Sequence, residues 1–594
     1  MKSLNEFLYG VNWWLSSSGV EMWRNFDKKE VEDDFKKMRK IGFNTVRIFL
    51  KWDEFQGEDG RIKKENVEKL DILIKTAREN GLKIILTLFV GWMSGKWFKP
   101  SFVNKQEDIF TDPKILKYQM WYVRYFAKRY KKEETVVVFN LANEQQCLRC
   151  PSRNWAYLWM SYLINAMKNE GISQPVTSGI NHLGINEDDI WNIYDSSEFS
   201  DFNVIHPYPS YLWYPEIKNL PLSISTTLFP VFLAKYYEGL GKKPVICEEI
   251  GSLGESFISD RITSKYIKKI FYSLFSNGIS GILWWTFRDF KCKNISPYKE
   301  FPFESSLGIL DEDGKEKIFT KEFIEFARFI KKIDFKEIQF AKNDAAIIFL
   351  PNAKRENIYG CFLLGKLANI NMDIIGPDED FKKYKIIFLP SLSSKEIFHR
   401  DHFEKLKDYV RNGGIFYISY DGFYLPDIKE FFGIEIKGRE VKDIIGDIEF
   451  DRENLNIKGE NNFWAIEIED GEDKILFENN YGEGKVYFSK YPIEKWILNN
   501  FDNNFPCYKI YRFIVDKTRI SNREIIASPF VEIIEISYKD DTLLSCINHN
   551  IYQEEIVVKK NSEIFDFISG ERLEIEKKKR MLKIDDVKIL KIKK

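Results

Sequence analysis

The chain has 594 residues, too many for one hydrophobic core, and this length indicates about two to four domains. Hydrophobic residues make up 44% and charged residues 30% of the sequence, which is typical of a folded protein and excludes a disordered one. The 89 basic and 90 acidic residues leave a net charge of −1, so no overall positive field is available to hold nucleic acid or an anionic membrane.

Cysteine usage and hydropathy indicate the compartment. Seven thinly spread cysteines do not suggest a disulfide framework. The N-terminal segment has no apolar run followed by a small-residue cleavage site, and no later segment reaches the ~18 uncharged apolar residues of a membrane span. We therefore expect a cytoplasmic protein with no membrane partner.

Up to about residue 335, short apolar runs rich in β-branched residues alternate with longer amphipathic stretches. This alternation predicts an eight-stranded β/α barrel, a TIM barrel, over 1–335. The predicted strands are 8–12, 45–50, 83–89, 135–141, 175–179, 202–206, 244–248 and 281–285. A doubly wound sheet is the competing fold, but it usually carries a glycine-rich phosphate loop after its first strand, and GVNWW is not such a loop.

The pattern changes after the barrel. Buried-strand runs with a helical segment between them predict a Rossmann- or flavodoxin-like α/β domain over 336–520. Short alternating strands with charged turns predict a small β-sandwich over 521–594. The histidines of these regions, His399, His402 and His549, are expected at the surface.

Two carboxylates fall where barrel strands end, and barrel enzymes carry their reactive groups at that rim. The fourth strand ends in Asn143-Glu144, and the seventh ends in Glu248-Glu249. Two carboxylates facing each other across a rim are what cleavage of a glycosidic bond needs, since one protonates the leaving oxygen and the other attacks the anomeric carbon or activates water.

These residues, together with Arg47 in NTVRIF, His206-Pro207-Tyr208, Glu249-Ile250-Gly251 and Trp284-Trp285, give the barrel its resemblance to a known group. It resembles the retaining glycoside hydrolases of the clan that includes family 5 cellulases and β-mannanases. The segments WDEFQGEDG and LTLFVGWMSGKWF look most like those of endo-β-mannosidases.

The resemblance implies the two catalytic roles. Glu144 matches the acid/base, whose pKa we expect to be raised by the negative nucleophile beside it. Glu249 matches the nucleophile because the family pattern is Glu-x-Gly. Since side chains alternate along a strand, we expect only one of Glu248 and Glu249 to face the barrel mouth.

The same resemblance implies the substrate contacts. Arg47 would orient the ionised nucleophile, with a salt bridge inside the barrel as the alternative. Asn143 would bind the sugar 2-hydroxyl. Tyr208 could reach the nucleophile, with His206 beside it or, alternatively, buried as a structural residue. Trp285 would form the platform under the reacting sugar.

Four further tryptophans are candidates for sugar stacking and are equally compatible with loop packing: Trp13, Trp14, Trp92 and Trp213. Many relatives carry histidine in the segment after the third strand, where this chain has 91–95, GWMSG. This departure predicts an altered subsite on the non-reducing side.

No metal or cofactor is expected, because carboxylates supply both the proton transfers and the covalent capture. Cys147 and Cys150 have the spacing of zinc ligands, but a closed zinc site needs four ligands and neither Cys247 nor Cys292 completes a motif. We interpret the pair as ordinary thiols.

The segment YKIIFLPSLSS…LKDYVRNGGIFYISYDG resembles the domain that mediates trimer contacts in family 42 β-galactosidases, and it predicts a homo-oligomer, a dimer or a trimer. The expected function is double displacement on β-mannosides or β-1,4-manno-oligosaccharides. The alternatives are a β-glucosidase or β-1,4-glucanase, a β-galactosidase, and an inactive carbohydrate-binding protein. A nucleotide site in the middle domain lacks a glycine fingerprint.

Overall fold

A computed structural model describes residues 6–209, 221–252, 254–255, 257–442, 447–450, 453–456, 463–469, 474–497, 506–518, 525–558, 563–573 and 581–592. The chain forms two compact units, one of residues 1–209 with 241–336 and the other of residues 210–240 with 337–594. Among the described residues, no helix combines the length and apolarity needed to cross a membrane.

The first unit contains the predicted barrel. Its eight strands are all parallel, and each pairs with its sequence neighbours except β5 and β6, so the barrel is nearly closed. Between those two strands, the Val176 N–H donates to the Asp201 carboxylate (2.9 Å) and the Asp201 N–H donates to the Val176 carbonyl (2.8 Å). The strands are β1 Leu8–Asn12, β2 Thr45–Lys51, β3 Lys83–Val90, β4 Val136–Ala142, β5 Val176–Thr177, β6 Asn203–Ile205, β7 Val245–Ile250 and β8 Gly281–Trp284.

Helices cover the outside of this barrel. The helix Lys28–Ile41 shows why they form where they do: Asp27 caps its first turn and Gly42, at φ 110°, ends it in a left-handed conformation. The other helices of this unit are Trp52–Phe55, Lys64–Glu79, Asp108–Thr111, Pro113–Tyr130, Arg153–Lys168, Ile193–Phe199, Asp260–Ser276 and Thr320–Lys332. Ile224–Thr227 and Phe229–Gly241 lie between β6 and β7 in the chain and belong to the second unit up to Leu240.

Alternation along the strands produces layers inside the barrel. The lowest layer is apolar, which fills the interior without polar groups that need partners. It consists of Leu8, Ile85, Val138, Phe202, Ile246 and Leu283. Two or four residues after each of these positions, nearer the carboxyl-terminal rim, comes a polar or aromatic side chain in the same phase: Asn12, Thr87, Asn140, His206, Glu248 and Trp285.

The second unit contains the predicted doubly wound sheet. Five of its six strands are parallel, and these five alone have the flavodoxin-like spatial order 2-1-3-4-5. The remaining strand, which precedes the last parallel strand in the chain, lies antiparallel at one edge. In spatial order the strands are Met372–Ile375, Ala345–Ile348, Ile386–Ser393, Ile415–Asp421, Gly484–Ser489 and Leu476–Tyr481. The main helices are Arg355–Leu367, Arg400–Arg411, Ile493–Ile497 and Tyr508–Lys517. Two further pairs of strands are Ile436–Lys442 with Phe463–Ile468 and Asp447–Phe450 with Glu453–Asn456.

The C-terminal β-sandwich has a five-stranded and a three-stranded sheet, and both contribute to one apolar core. Its first strand, Ile338–Phe340, comes from the region that the sequence assigned to the α/β domain and pairs with the edge of the larger sheet. The remaining strands of the larger sheet are Val531–Tyr538, Asp541–Asn548, Val587–Ile592 and Ile564–Asp566, and those of the smaller sheet are Ile525–Ala527, Glu554–Val558 and Met581–Ile584.

The expected surface position of His549 is wrong. This side chain is buried, and its Nε2 lies 3.1 Å from Glu532, whose other carboxylate oxygen lies 2.6 Å from the ammonium group of Lys366. Its Nδ1 lies 2.8 Å from the Thr227 hydroxyl. A lone histidine without a motif around it indicates a surface position, whereas His549 completes a buried ionic cluster.

Candidate active site

Glu144 and Asn143 follow β4 at the carboxyl-terminal rim. The backbone of Glu144 has the left-handed value φ 50°, and its N–H donates to the Gly179 carbonyl after β5 (3.1 Å). Such a conformation is uncommon outside glycine, and it persists where the surroundings fix it. Here it turns the chain at the end of β4, where the Glu144 side chain is 22% exposed.

Glu248 and Glu249 both reach Arg47, so their side chains do not alternate strictly to opposite faces of β7. Between β7 and β8, the register advances from Ile282 to Trp284 on one strand and from Cys247 to Ile250 on the other. β7 therefore contains one extra residue, a β-bulge, which interrupts the alternation of its side chains. Glu248 stays in phase with the inward-facing Ile246, and the bulge also brings Glu249 to the mouth.

Arg47 is the centre of this network and is fully buried. One terminal nitrogen donates to Glu249 Oε1 (2.7 Å), and the other lies 3.2 Å from Glu248 Oε2. The amide oxygens of Asn12 and Asn143 and the Thr87 hydroxyl accept its remaining hydrogen bonds, and its guanidinium lies 4.7 Å from the centre of the Phe49 ring. With these contacts, a guanidinium fixes the direction of a carboxylate.

Glu249 and Glu248 differ in their other partners. The Tyr208 hydroxyl donates to Glu249 Oε2 (3.0 Å), whereas Asn140 donates to Glu248 Oε1 (2.5 Å) from the layer below. A Cβ at Gly251 would lie 2.9 Å from the Trp285 carbonyl and 3.2 Å from the Tyr208 ring, which explains why glycine follows Glu249 at this interval. Glu249 thus belongs to the mouth and Glu248 to the barrel interior.

His206 lies among three carboxylates. Its Nδ1 is 2.8 Å from Glu144 and 3.5 Å from Glu249, and its Nε2 is 3.5 Å from Glu248. Single oxygens of Glu144 and Glu249 and one nitrogen of His206 all lie within 4.8 Å of one another. The two rim carboxylates therefore face a common space.

The charges in this cluster determine its protonation. Burial alone would lower the pKa of His206, but the charges of Glu249, Glu144 and Glu248 raise it to about 9. Burial and the charge of Glu144 raise the pKa of Glu249, while His206 and Arg47 oppose that shift.

The expected rise in the pKa of Glu144 is wrong for the unliganded site. Burial would raise this pKa, but the hydrogen bond from His206 and the positive charges of His206, His182 and Arg47 lower it below its ordinary value. A neighbouring nucleophile alone would raise this pKa, whereas the imidazole at 2.8 Å favours the ionised form of Glu144.

The aromatic candidates after β8 and β1 both contact Phe49. The Trp285 ring lies 5.9 Å from the Phe49 ring in an edge-to-face arrangement, and the Trp14 ring stacks on Phe49 at 5.2 Å. Trp285 is 4% exposed and Trp14 is 1% exposed. Trp285 remains our prediction for the sugar platform, and Trp14 packs against Phe49.

The other tryptophan candidates lie elsewhere. Trp13 follows the inward-facing Asn12, so alternation turns it outward, where its buried indole donates to Asp34 (3.0 Å). Of the two alternatives for Trp13, sugar stacking and packing, these contacts favour packing. Trp92 belongs to a short hairpin after β3, and its carbonyl accepts a hydrogen bond from Asn143 (2.9 Å). Trp213 lies outside the described residues.

Two site residues were missed. Asn181, after β5, donates to Glu144 (3.3 Å), and Glu304, in the loop after β8, accepts from Ser94 Oγ (3.0 Å). Burial raises the pKa of Glu304 to about 7, and the charges of Glu249 and Glu144 add to the effect. Glu304 lies 20 residues beyond the end of β8, so reading only strand ends could not find it.

Among the described residues, only Glu144, His206 and Glu249 form a group of donors close enough together to hold a metal ion. Arg47 and the charged His206 already neutralise these carboxylates, so a metal ion would compete with two cations. Burial raises the pKa values of Cys147 and Cys150 to about 12, which disfavours the thiolate that binds zinc.

A parallel barrel with two carboxylates facing each other at its carboxyl-terminal rim is the arrangement that glycoside hydrolases use to cleave glycosidic bonds. Residues 6–220 match the family described as Cellulase (glycosyl hydrolase family 5), and residues 366–422 match the Beta-galactosidase trimerisation domain. The resemblance to family 5 glycoside hydrolases that the sequence predicted is confirmed for the barrel, and the resemblance to the trimerisation domain is confirmed for the segment that follows it.

Curated relatives are mannan endo-1,4-beta-mannosidases. Enzyme A of Podospora anserina is 25% identical over 240 residues, covering 38% of this chain and 60% of the relative. Enzyme 7 of Oryza sativa is 26% identical over 263 residues, covering 37% and 68%. The chain spans 36% of the Aspergillus fumigatus enzyme F. Most of these matches therefore cover less than two thirds of the relative.

Solved structures share the fold. The exo-beta-1,4-mannosidase Op5Man5 from Opitutaceae bacterium strain TAV5 has a TM-score of 0.74 at 21% identity, covering 86% of this chain and 96% of its own. Gan42B, a GH42 beta-galactosidase from G. stearothermophilus, has a TM-score of 0.73 at 15% identity, covering 100% and 99%. At these identities, the likeness shows the fold alone.

Proposed function

We propose that the protein is a retaining β-glycoside hydrolase that acts by double displacement on β-mannosides or β-1,4-manno-oligosaccharides. The observation that carries the proposal is the distance of at most 4.8 Å between oxygens of Glu144 and Glu249. Retaining enzymes hold their carboxyl groups about 5–5.5 Å apart, whereas inverting enzymes leave at least about 6.5 Å for a water molecule.

In the first step, Glu249 Oε2 or Oε1 attacks the anomeric carbon while Glu144 gives its proton to the departing oxygen. Arg47 and Tyr208 keep the Glu249 carboxylate oriented and ionised. Asn143 is fixed by Arg47 on its oxygen and by the Trp92 carbonyl on its nitrogen, and it remains our prediction for the partner of the 2-hydroxyl.

The proton for this step is supplied by the His206–Glu144 pair. In the resting site, the proton lies on His206, and the 2.8 Å contact allows it to pass to Glu144 as the leaving oxygen approaches. Covalent capture then removes the charge of Glu249. In the second step, Glu144 takes a proton from water, and the water oxygen replaces Glu249 at the anomeric carbon with net retention.

The location of this proton on the His206–Glu144 pair predicts the alkaline limb of the pH profile. The pKa of His206 is raised to about 9, so the pair keeps its proton below that pH and loses it above. We expect kcat/KM to fall as pH rises through about 9. In His206→Asn, no imidazole holds the proton, and the limb should move to lower pH by at least about one unit. A pH profile with an aryl β-mannoside measures this, and an unchanged limb in the variant would contradict the assignment.

The sugar is tested with nitrophenyl β-mannoside, β-glucoside and β-galactoside, and with mannan against cellulose. We expect the mannoside to exceed the others in kcat/KM by at least about tenfold, because hydroxyl placement controls such discrimination. The mannan endo-1,4-beta-mannosidase relatives support mannose. If kcat/KM is higher on the glucoside or the galactoside, that sugar takes the place of mannose in the proposed function. Binding without turnover would support the alternative of an inactive carbohydrate-binding protein.

Assembly and compartment belong to the same proposal. The match of residues 366–422 to the trimerisation domain supports a homo-oligomer, a dimer or a trimer, which sedimentation can test. All seven cysteines are free, which supports a reducing compartment such as the cytoplasm.

A further inference from the structure

Two loops meet across one side of the barrel mouth. Ser94, in the loop after β3, donates to Glu304 in the loop after β8 (3.0 Å). Next to this contact, a Cβ at Gly95 would lie 2.8 Å from the Phe301 ring. In the barrel, β8, β1, β2 and β3 are consecutive neighbours. This bridge of Ser94, Gly95, Phe301 and Glu304 therefore crosses the rim in front of β1 and β2.

Glu304 is electrostatically part of the active site. The charges of Glu249 and Glu144 raise its pKa, and the side chains of Ser94 and Trp285 hydrogen-bond to its carboxyl group. Oε2 receives the bond from Ser94 (3.0 Å). A carboxylate offers about four lone-pair positions, so this partly buried group beside the predicted sugar platform can accept a further hydrogen bond from a ligand.

The position of the bridge decides which part of the substrate it meets. In the proposed mechanism, Glu249 attacks the anomeric carbon of the sugar that lies over Trp285, and Glu144 protonates the leaving group. Glu144 follows β4, and β5 and β6 lie beyond it, so the leaving group extends toward that side. The bridge lies on the other side, past β8 and β1, where the non-reducing end of the reacting sugar would be.

We propose that Glu304 is a specificity-determining residue, which accepts a hydrogen bond from a hydroxyl at the non-reducing end of the sugar over Trp285 and thereby restricts the enzyme to exo action. The inference rests on the proposed glycosidase function and decides between its exo and endo forms. In a β-1,4 chain, the oxygen that links a further sugar at this end carries no hydrogen. A chain that continues at this end would leave the Glu304 carboxylate without the hydroxyl that donates to it, and its next sugar would collide with the bridge.

The first test is discrimination at the non-reducing end. For the wild type, we expect kcat/KM on nitrophenyl β-mannoside to exceed that on its 4-O-methyl derivative by at least about 100-fold. Glu304→Ala should lower this ratio below about tenfold, and Ser94→Ala should lower it less. Glu300→Gln changes an exposed carboxylate of the same loop and should leave the ratio unchanged. An unchanged ratio in Glu304→Ala would overturn the inference.

The second test is the product pattern. Mannohexaose labelled at its reducing end should be shortened by one mannose at a time, so that labelled pentaose appears first. Labelled mannobiose or mannotriose among the first products would show internal cleavage and overturn the inference. If another β-glycoside is the better substrate, the choice of mannose in the proposed function is wrong. The 4-O-methyl comparison and the product pattern, repeated with that sugar, still decide the role of Glu304.

A binding measurement is independent of turnover. Calorimetry with mannobiose compares Glu249→Gln with Glu249→Gln/Glu304→Gln. We expect the added substitution to weaken binding by at least about tenfold, because a hydroxyl loses a charged acceptor. Equal affinities would overturn the inference even if no glycoside were hydrolysed.

Discussion

Glu249→Ala is expected to lower kcat/KM on nitrophenyl β-mannoside by at least about 10⁴-fold, because no other group can form the covalent intermediate. The substitution leaves the charge of Arg47 balanced by Glu248, which lies 3.2 Å away, so the fold should persist. Unchanged thermal unfolding within a few degrees is the check that lost activity is not lost structure.

Azide makes this prediction specific to the nucleophile. In Glu249→Ala, the removed carboxylate leaves space on the face from which it attacks. Azide can enter there, form the bond to the anomeric carbon and release nitrophenol, giving the α-mannosyl azide. Turnover should rise at least about 100-fold with saturating azide, and NMR of the product should show inversion.

Glu248→Ala is the matched comparison, since it removes the adjacent carboxylate from the same strand. Glu248 lies below the mouth on Asn140, and its loss disturbs Arg47 without opening a path to the anomeric carbon. We expect slower hydrolysis and no recovery with azide. Recovery in Glu248→Ala and not in Glu249→Ala would exchange the two roles and place the nucleophile in the inward phase of β7.

Strand ends could be found from the sequence because hydrophobic periodicity and chain order predict where each barrel strand finishes. The strand ends predict Asn143, Glu144 and the Glu248-Glu249 pair, and the family resemblance adds Arg47 and His206. The structure brings these residues together around Glu249. Alternation within a strand was a weaker guide. Alternation from Asn12 places Trp13 on the outside of the barrel. Alternation does not hold at the β-bulge in β7, because this bulge depends on the pairing of β7 with β8.

Features that depend on distant parts of the chain were outside the reach of sequence reasoning. Glu304 acquires its place by a contact with Ser94, 210 residues earlier. The lowered pKa of Glu144 depends on an imidazole from another strand, and the burial of His549 depends on Glu532 and Lys366. In each case, the residue type is compatible with a surface position, and only the packed fold supplies its partner.

Glu144→Ala should affect substrates according to their leaving groups. On manno-oligosaccharides, whose leaving oxygen needs a proton, we expect kcat/KM to fall by about 10³–10⁴-fold. On 2,4-dinitrophenyl β-mannoside, whose leaving group departs as a stable anion, kcat/KM should fall by less than about tenfold. The comparison of the two substrates separates a lost acid from a damaged site, because damage would slow both alike.

The same variant tests the base in the second step. Without Glu144, water attacks the intermediate slowly, so the mannosyl group should accumulate on Glu249 and be seen as an added hexose by mass spectrometry. Azide needs no base and should release it as the β-mannosyl azide, the stereochemical opposite of the Glu249→Ala product. Glu134→Gln, at an exposed position before the other end of β4, should behave as the wild type. Equal losses on both substrates, or an α-azide product, would remove Glu144 from the acid/base role.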